Sequence, residues 1–463
     1  DATIRTDLVK IISEPFFRWV IGSGLKLQAE PNRFVLELEN ITQDWPVFQK
    51  TAEARFGVYS KSKYSDFSKM NNLHDKALDA FKTAFDGGDC LVICRVEDGI
   101  LNIQLIDGSH IKTPVGSQYI NDIKGRGNFI KHGIELSPKG ENIAYYIEKI
   151  NANGIERTFE RVAAYGEKSK RKLAWMIYGQ KARVDHVRGI PAITQILEKI
   201  NKLDRYTEAA VSKAEQAANI SYTIEHDEYS TGENPVDEVI KKKLNVIGDA
   251  VDGYALADGL ANRIKETTSN QVWNLPPGAK FKTFSSTIET DFEQFYRAVF
   301  NSLCASIGIP PEVALQMYNS NYSASRAAIN AWDYAVTIAR EKFANDFYKP
   351  IYNLWLELEI LKGKIDASGY VNAINKSDFM VVESFAQCRF TGKKMPHIDP
   401  LKEIKAIRAM LGDETTPLIS YEQATEDLGA GEWQENYAKN REEDKIIVKP
   451  EISTENGNQN TNA

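Results

Sequence analysis

Residues 191–220 read PAITQILEKINKLDRYTEAAVSKAEQAANI. Pro191 suits the first position of a helix, and Ile193, Ile196, Leu197, Ile200, Leu203, Tyr206, Ala210, Val211 and Ala214 recur at the spacing of one apolar helix stripe. The charges balance, with Lys199, Lys202, Arg205 and Lys213 against Glu198, Asp204, Glu208 and Glu215. The pattern predicts a helix from Pro191 over about 30 residues. A second helical stretch, TIETDFEQFYRAVFNSLCASIGI, halts at Pro310-Pro311. Between the two lies a mixed, turn-rich insert over 221–284. The reading of the whole chain turns on this order of helix, compact insert, helix.

Working outward, the second helix leads into MYNSNYSASRAAINAW, residues 317–332. A small polar loop there precedes a helix for which Ser323 is the expected N-cap. The helical pattern then continues for about 40 residues, with a kink expected around Pro350. The first half of the chain is mixed. A short helix over 5–20 is expected to be interrupted by Pro15, and Gly22 and Gly24 turn the chain into a strand. A mainly helical stretch then stops at Gly87-Gly88. Two β-branched runs flank Glu97-Asp98-Gly99, a hairpin signal, and NIAYYIEKI at 142–150 alternates as another strand. The C-terminal part reads as smaller helices, DPLKEIKAIRAMLG and SYEQATEDLGAGEWQENYAKNREED, before a polar tail expected to be disordered unless a neighbour pins it.

The chain has 463 residues, 42% hydrophobic and 26% charged, enough for two to four domains with cores of their own. No apolar run approaches the ~18 residues that span a bilayer. The first residues have no signal-peptide shape and lack an initiating Met, so the true N-terminus is expected to be processed or to lie outside this sequence. Four cysteines do not make a disulfide framework. Cys90 and Cys94 lie on one face of a strand-like run with no companion ligands, so buried structural thiols are expected rather than a zinc site. The net charge of −7 argues against a protein that grips nucleic acid statically, since phosphate neutralisation supplies most of such affinity. It does not argue against one that lets DNA slide past.

No catalytic constellation emerges. Asp107-Gly108-Ser109-His110 reads as a strand-ending turn, since neighbours in a turn cannot form a triad. KGRG at 124–127 is not followed by Gly-Lys-Ser/Thr and reads as a solvated turn rather than a phosphate loop. Asp185-His186 has no companion ligand at helical spacing. Lys168, Lys170, Arg171 and Lys172, like Lys241-Lys242-Lys243, read as solvated faces. No enzymatic activity, metal or cofactor is expected.

Six segments, in order, resemble the lambda-like portal proteins of tailed bacteriophages. VIGSGLKLQ looks like that family's Val-Gly-x-Gly segment, and GGDCLVICRV…LNIQLIDGSHI like its Gly-Glu-x-Leu-Val strand followed by Leu-Ile-Asp-Pro. VDHVRGIPAITQILEKINKL is similar to its Arg-Gly-x-Pro approach to a long helix, and LPPGAKFKTF to its Leu-x-Pro-Gly-Glu turn. NYSASRAAINAW is similar to its Tyr-Ser-Ser-x-Arg-Ala-Ala segment, and HIDPLKEIKAIRAML to its Asp-Pro-x-Lys-Glu helix. The likeness runs from about residue 15 to 445. Ala324 stands where the family often has a second Ser, Asp89 where Glu is usual, and Gly108 in place of a Pro.

The resemblance implies an α+β portal fold assembled as a ring of roughly twelve subunits. It divides the chain into a mixed α/β wing (1–189), a first stem helix (190–220), a small α/β clip (221–284), a second stem helix (285–311), a tunnel loop (312–323), a long kinked wing helix (324–363), a helical crown (364–445) and a polar tail (446–463). It implies a DNA channel at one capsid vertex for genome packaging, head–tail joining and ejection. The implied partners are further copies of the chain, double-stranded DNA, the terminase motor, the major capsid protein and a head–tail adaptor, with no membrane. The implied setting is the virion, and the host cytoplasm during assembly. Tyr318, Asn319, Ser320, Asn321, Tyr322 and Ser323 would line the constriction, in a channel neutral to negative on balance. Arg326 would meet either phosphate or a neighbouring subunit's carboxylate. Another head-to-tail connector ring, or an enzyme acting on DNA, are the alternatives. The first is generally shorter, and the second would need a nucleophile, metal ligands or a phosphate loop.

Overall fold

The computed structural model describes residues 7–116, 123, 125–150, 157–224, 271–274, 292–317, 322–394, 400–412, 416–431 and 433–446. The chain divides into two compact units, one formed by 1–194 with 308–463 and the other by Gln195–Ile307.

The first unit opens with helix α1 (Asp7–Phe16), which continues as a π-helical turn, Phe17–Ile21. Pro15 was expected to interrupt this helix and does not. The carbonyl it leaves without an N–H belongs to Ile11, an exposed residue, while Leu8, Ile12 and Phe16 keep the helix docked through their burial. Gly22 ends the turn with φ 55, a left-handed value that a side chain resists. Gly24, at φ 103, leaves the space that the His74 ring fills; a Cβ there would lie 2.2 Å from that ring. After β1 (Lys26–Ala29) come α2 (Arg33–Leu38), α3 (Trp45–Lys61) and α4 (Leu73–Gly87). Their first turns are capped by Asn32, Asp44 and Asn72, the last in a capping box with Asp75.

The helical pattern expected from residue 47 onward is broken over 62–72 by Asp66. Its buried carboxylate accepts from Ser68, from the backbone N–H groups of Met70 and Asn71, and pairs with Lys76 at 2.9 Å. Burial alone would raise its pKa, but these bonds outweigh burial and hold the carboxyl well below the ordinary range.

The hairpin appears where the sequence signals it. Strands β2 (Asp89–Glu97) and β3 (Ile100–Asp107) pair antiparallel across Asp98-Gly99, both at positive φ. A second antiparallel sheet runs β4 (Phe129–Lys131), β5 (Ile134–Leu136), β6 (Asn142–Ile150), β7 (Arg157–Ala163) in that order. Strand β8 (Ala174–Tyr178) returns to the first sheet, giving the order β3-β2-β8. Leu91 and Ile93 of β2 and Ala174 and Met176 of β8 meet Ile134, Leu136, Tyr145 and Ile147 in a core between the two sheets. Cys90, Val92 and Cys94 alternate to the other face of β2, the strand against which α4 packs. Burial pushes the Cys90 thiol up to about 12, so these cysteines are inert packing groups as the sequence suggested.

The second unit holds α5 (Leu197–Asn219), a parallel pair of short strands β9 (Ile220–Ile224) and β10 (Gln271–Asn274), and α6 (Phe292–Ile307). Helix α5 starts later than the pattern predicts, because residues 192–195 form a 3-10 turn in which Thr194 N–H bonds to Pro191. Helices α5 and α6 pack through Tyr206 on Phe295, ring centres 4.4 Å apart, with Lys199 donating to Ser302 and Ser306. The apolar stripe is buried at Ile196, Ile200 and Leu203, but Val211 is 52% exposed and Ala214 is exposed too.

Back in the first unit come α7 (Pro311–Leu315), α8 (Tyr322–Phe343), a π-helical turn Ala344–Tyr348 and α9 (Lys349–Leu361). This is the long helix the sequence predicts, interrupted by a π turn just ahead of Pro350. Pro350 has no N–H for the carbonyl of Asp346, four residues earlier. The indole Nε1 of Trp175 donates to that carbonyl instead, at 2.8 Å. Helices α10 (Tyr370–Lys376) and α11 (Phe379–Phe385) lead to β11 (Cys388–Thr391), which pairs antiparallel with β1. Helices α12 (Pro400–Leu411), α13 (Tyr421–Asp427) and α14 (Trp433–Ile446) close the described chain; residues 447–463 lie outside it.

Trp175→Phe keeps the packing ring and removes the donor. It is expected to destabilise the first unit by about 1 kcal/mol, the cost of leaving a partly buried carbonyl unpaired, in urea unfolding followed by circular dichroism.

Candidate functional site

The segment singled out by sequence is held at both ends by the first unit. On its N-terminal side Gly308, at φ 80, ends α6, and Pro310 precedes α7 with Pro311 at its first turn. Helix α7 ends at Gln316 in a left-handed conformation, with Met317 N–H bonded to the Glu312 carbonyl. Val313 and Ala314 are buried, and α7 packs against α1.

Tyr318, Asn319, Ser320 and Asn321 lie outside the described residues. Tyr322 and Ser323 form the first turn of α8, so the helix begins two residues before the expected 324 and Ser323 is inside it rather than capping it. One turn on, Arg326 Nη2 donates to Glu403 Oε1 at 3.1 Å. The carboxylate it meets is therefore in its own chain, on α12. Further along α8, Trp332 is buried against Phe16 with ring centres 4.7 Å apart. Arg340 donates to the carbonyls of Trp19 and Lys393, at 2.7 and 3.1 Å. The first of these is a carbonyl of the π-helical turn that follows α1.

Sequence reasoning did not single out the most densely bonded polar cluster, which lies at residues 88–89, 108–111, 132 and 188–189. Arg188 forks onto Asp89, Nε to Oδ2 at 2.6 Å and Nη2 to Oδ1 at 2.7 Å. Its remaining donors reach the carbonyls of Gly108, Ile111 and His132. Asp89 also accepts from the Gly189 N–H at 2.9 Å. The backbones come so close that a Cβ on Gly189 would lie 2.0 Å from the Gly88 carbonyl. All donors of a planar fork are used, a geometry open to arginine and not to lysine. From Pro191 the chain passes through the 3-10 turn into α5.

Of the remaining candidates, the turn at 107–110 is as the sequence suggested, whereas Arg126 and Arg171, read there as solvated, are engaged in ion pairs. Asp107 accepts from its own turn at Ser109 N–H, 2.7 Å away, and Asp107, Ser109 and His110 are all exposed. Arg126 pairs with the buried Glu135 at 3.5 Å, and Arg171 with Glu357 at 2.8 Å. Asp185 and His186 lie in a surface turn, and Lys241-Lys242-Lys243 falls outside the described residues. Among the described residues no group of three or more His, Cys, Asp or Glu side chains is placed to hold a metal ion, and no helix is long and apolar enough to cross a membrane.

The model of a known family, the phage portal proteins of the lambda family, matches residues 4–338. That is most of the chain, and the chain belongs to this family. It is thus a phage portal protein, a structural component of the phage particle and not an enzyme. No curated protein matches it. Among solved structures it is similar to a chain in the neck of a native GTA particle computed with C12 symmetry, at 9% identity and TM-score 0.37 over 89% of this chain and 98% of that one. It is also similar to a chain in the neck of an empty GTA particle computed with C6 symmetry, at 10% identity and TM-score 0.39 over 92% and 100%.

Asp89 and Gly108, both noted in the sequence, meet in the Arg188 cluster. A Cβ on Gly108 would lie 1.7 Å from Asp89 Oδ1, so the space that a side chain at 108 would need is taken by the carboxylate. Arg188→Ala leaves Asp89 buried and uncompensated. It is expected to cost about 3–5 kcal/mol in denaturant unfolding, whereas Arg326→Ala, which breaks a half-exposed pair, is expected to cost less than about 1 kcal/mol.

Proposed function

We propose that the chain assembles into a closed ring at one capsid vertex and that DNA enters and leaves along the ring axis. The observation that carries this reading is the half-covered stripe of α5. Ile196, Ile200 and Leu203 are buried by the chain itself, while Val211 and Ala214 of the same stripe are exposed. A helix continues an apolar stripe beyond its own partner when another surface covers the remainder. A neighbouring copy in a ring supplies that cover, and the paired charges Lys202–Glu198 and Arg297–Glu293 suit a wet outer face.

In this reading Gln195–Ile307 corresponds to stem and clip, the long helix α8–α9 to the wing, and the helices after residue 364 to the crown. Residues 318–321, together with the first turn of α8 at Tyr322 and Ser323, form the tunnel constriction. Tyr318, Asn319, Ser320, Asn321, Tyr322 and Ser323 carry no formal charge, so their donors and acceptors exchange between phosphate and water at little cost. A ring of lysines at the same place would hold each phosphate and slow its passage. Arg326, engaged by Glu403, fastens the flank of this loop to α12. The terminase motor docks on the clip, and the capsid protein and a head–tail adaptor contact the outer surfaces. Assembly takes place in the host cytoplasm.

Native mass spectrometry of the purified chain tests the ring: a single closed species of about twelve copies is expected, and a monomer at micromolar concentration would contradict it. In particles, Asn319→Lys with Ser320→Lys is expected to leave ring mass unchanged and slow DNA passage by tenfold or more in a salt-sensitive way. Unaltered packaging and ejection would remove the loop from the channel.

A further inference from the structure

We propose that the outer face formed by α2 and α11 docks on α12 of a second copy of this chain. The starting observation is a set of large apolar side chains turned away from the body. Phe34 is 72% exposed and Phe379 69%, and Leu38 and Met380 are exposed too. The two short helices that carry them lie together: α2 packs on α11, and the Asn32 N–H just ahead of α2 donates to the Ser384 carbonyl at 2.9 Å. Each is docked by its other side, α2 through Leu36 and α11 through Val381, Ser384 and Phe385, all buried. Large exposed apolar side chains on adjacent elements mark a contact with another molecule.

The charges choose the occupant. On α2, Phe34 is followed by Glu37 at i+3 and Leu38 at i+4, and on α11 Phe379 is followed by Glu383 at i+4, so a carboxylate borders each exposed aromatic ring. Arg33, the cation of α2, is turned to Gln49, its Nη2 donating to Oε1 at 2.6 Å. Over 33–39 and 376–385 the carboxylates are Glu37, Glu39, Asp378 and Glu383 and the cations Arg33 and Lys376, so the surface is acidic. Helix α12 has the opposite character. Leu401, Ile404, Lys405 and Arg408 follow the i, i+3, i+4, i+7 spacing of one face, and all four are exposed. The carboxylate of this helix, Glu403, lies away from that face and is held by Arg326 of α8 at 3.1 Å.

Among the described residues Glu37, Glu39, Glu383, Lys405 and Arg408 have no ion-pair partner within the chain. A chain that carries an acidic aromatic surface and a cationic apolar helix face, both exposed, is complementary to another copy of itself. Phe34 and Phe379 are the anchors, since large aromatic side chains dominate such contacts, and the charges set orientation and register. Two different surfaces meet, so the contact is heterologous, and a heterologous contact repeats around a ring. This contact rests on the ring reading above and names which surfaces of adjacent copies meet.

The test uses the full chain assembled as purified, with native mass spectrometry to establish the ring and hydrogen exchange to read the helices. In wild-type rings 33–38, 379–385 and 400–411 are expected to be protected. K405E/R408E is expected to speed exchange in all three segments by roughly tenfold or more, and E37K/E383K to do the same from the other side. Carrying both pairs of changes, which swaps the charges across the contact, is expected to restore protection. Rings in which K405E/R408E leaves exchange at 33–38 and 379–385 unchanged, or in which the charge swap fails to rescue, would overturn this docking and leave the ring standing. A wild-type chain that stays single would instead overturn the ring itself, and this contact with it.

Discussion

The buried fork of Arg188 on Asp89 fixes the point from which the rest of the chain is arranged. It ties the start of β2, the turn after β3, the loop before β5 and the approach to α5 in one place. A buried pair of this kind is weak evidence for net stability, because desolvation offsets much of the attraction. Its contribution here is geometric. Five donors, each with a fixed direction, reach one carboxylate and three carbonyls, so these segments of the first unit cannot slide relative to one another.

The second organising feature is the long helix α8–α9. Aromatic side chains along it, Trp332, Phe343, Phe347, Tyr348, Tyr352 and Trp355, form the axis of the first unit's core. Two long-range side-chain donors tie it to other elements. Trp175 takes the carbonyl that Pro350 abandons, and Arg340 takes carbonyls at the π turn after α1 and beyond β11. Any shift of α8, whose first turn adjoins the 318–321 segment, is therefore felt at α1, at β8 and at the chain leading to α12. The Arg326–Glu403 pair adds a second, weaker tie to α12.

Much of this architecture was legible in the sequence, for identifiable reasons. The Asp98-Gly99 hairpin follows from two adjacent residues that accept positive φ, and the irregular turn near Pro350 from a missing N–H. The α+β composition followed from the switch between alternating and helical periods. What periodicity could not give was the role of Arg188. Its partners are up to 99 residues away in sequence, and the fragments Gly-Gly-Asp and Arg-Gly-x-Pro look unrelated until the backbone brings them together. Pro15 misled for the opposite reason: a local rule said the helix should break, but buried Leu8, Ile12 and Phe16 outweighed it. The early start predicted for α5 failed because the chain ahead of it is pinned by Asp89 and turns tightly first. Of the loop residues singled out, only the backbone of Tyr322 and Ser323 and the side chain of Arg326 fall among the described residues.

These parts combine into one physical picture. In the ring proposed above, repetition of the chain around an axis turns the uncharged segment 318–323 into a collar. The most direct measurement is an electron cryo-microscopy map of the assembled protein. The account predicts a closed ring in which residues 318–323 of every copy lie nearest the axis and set its narrowest diameter. A ring with those residues packed on the outside, or a chain that forms no ring, would contradict it.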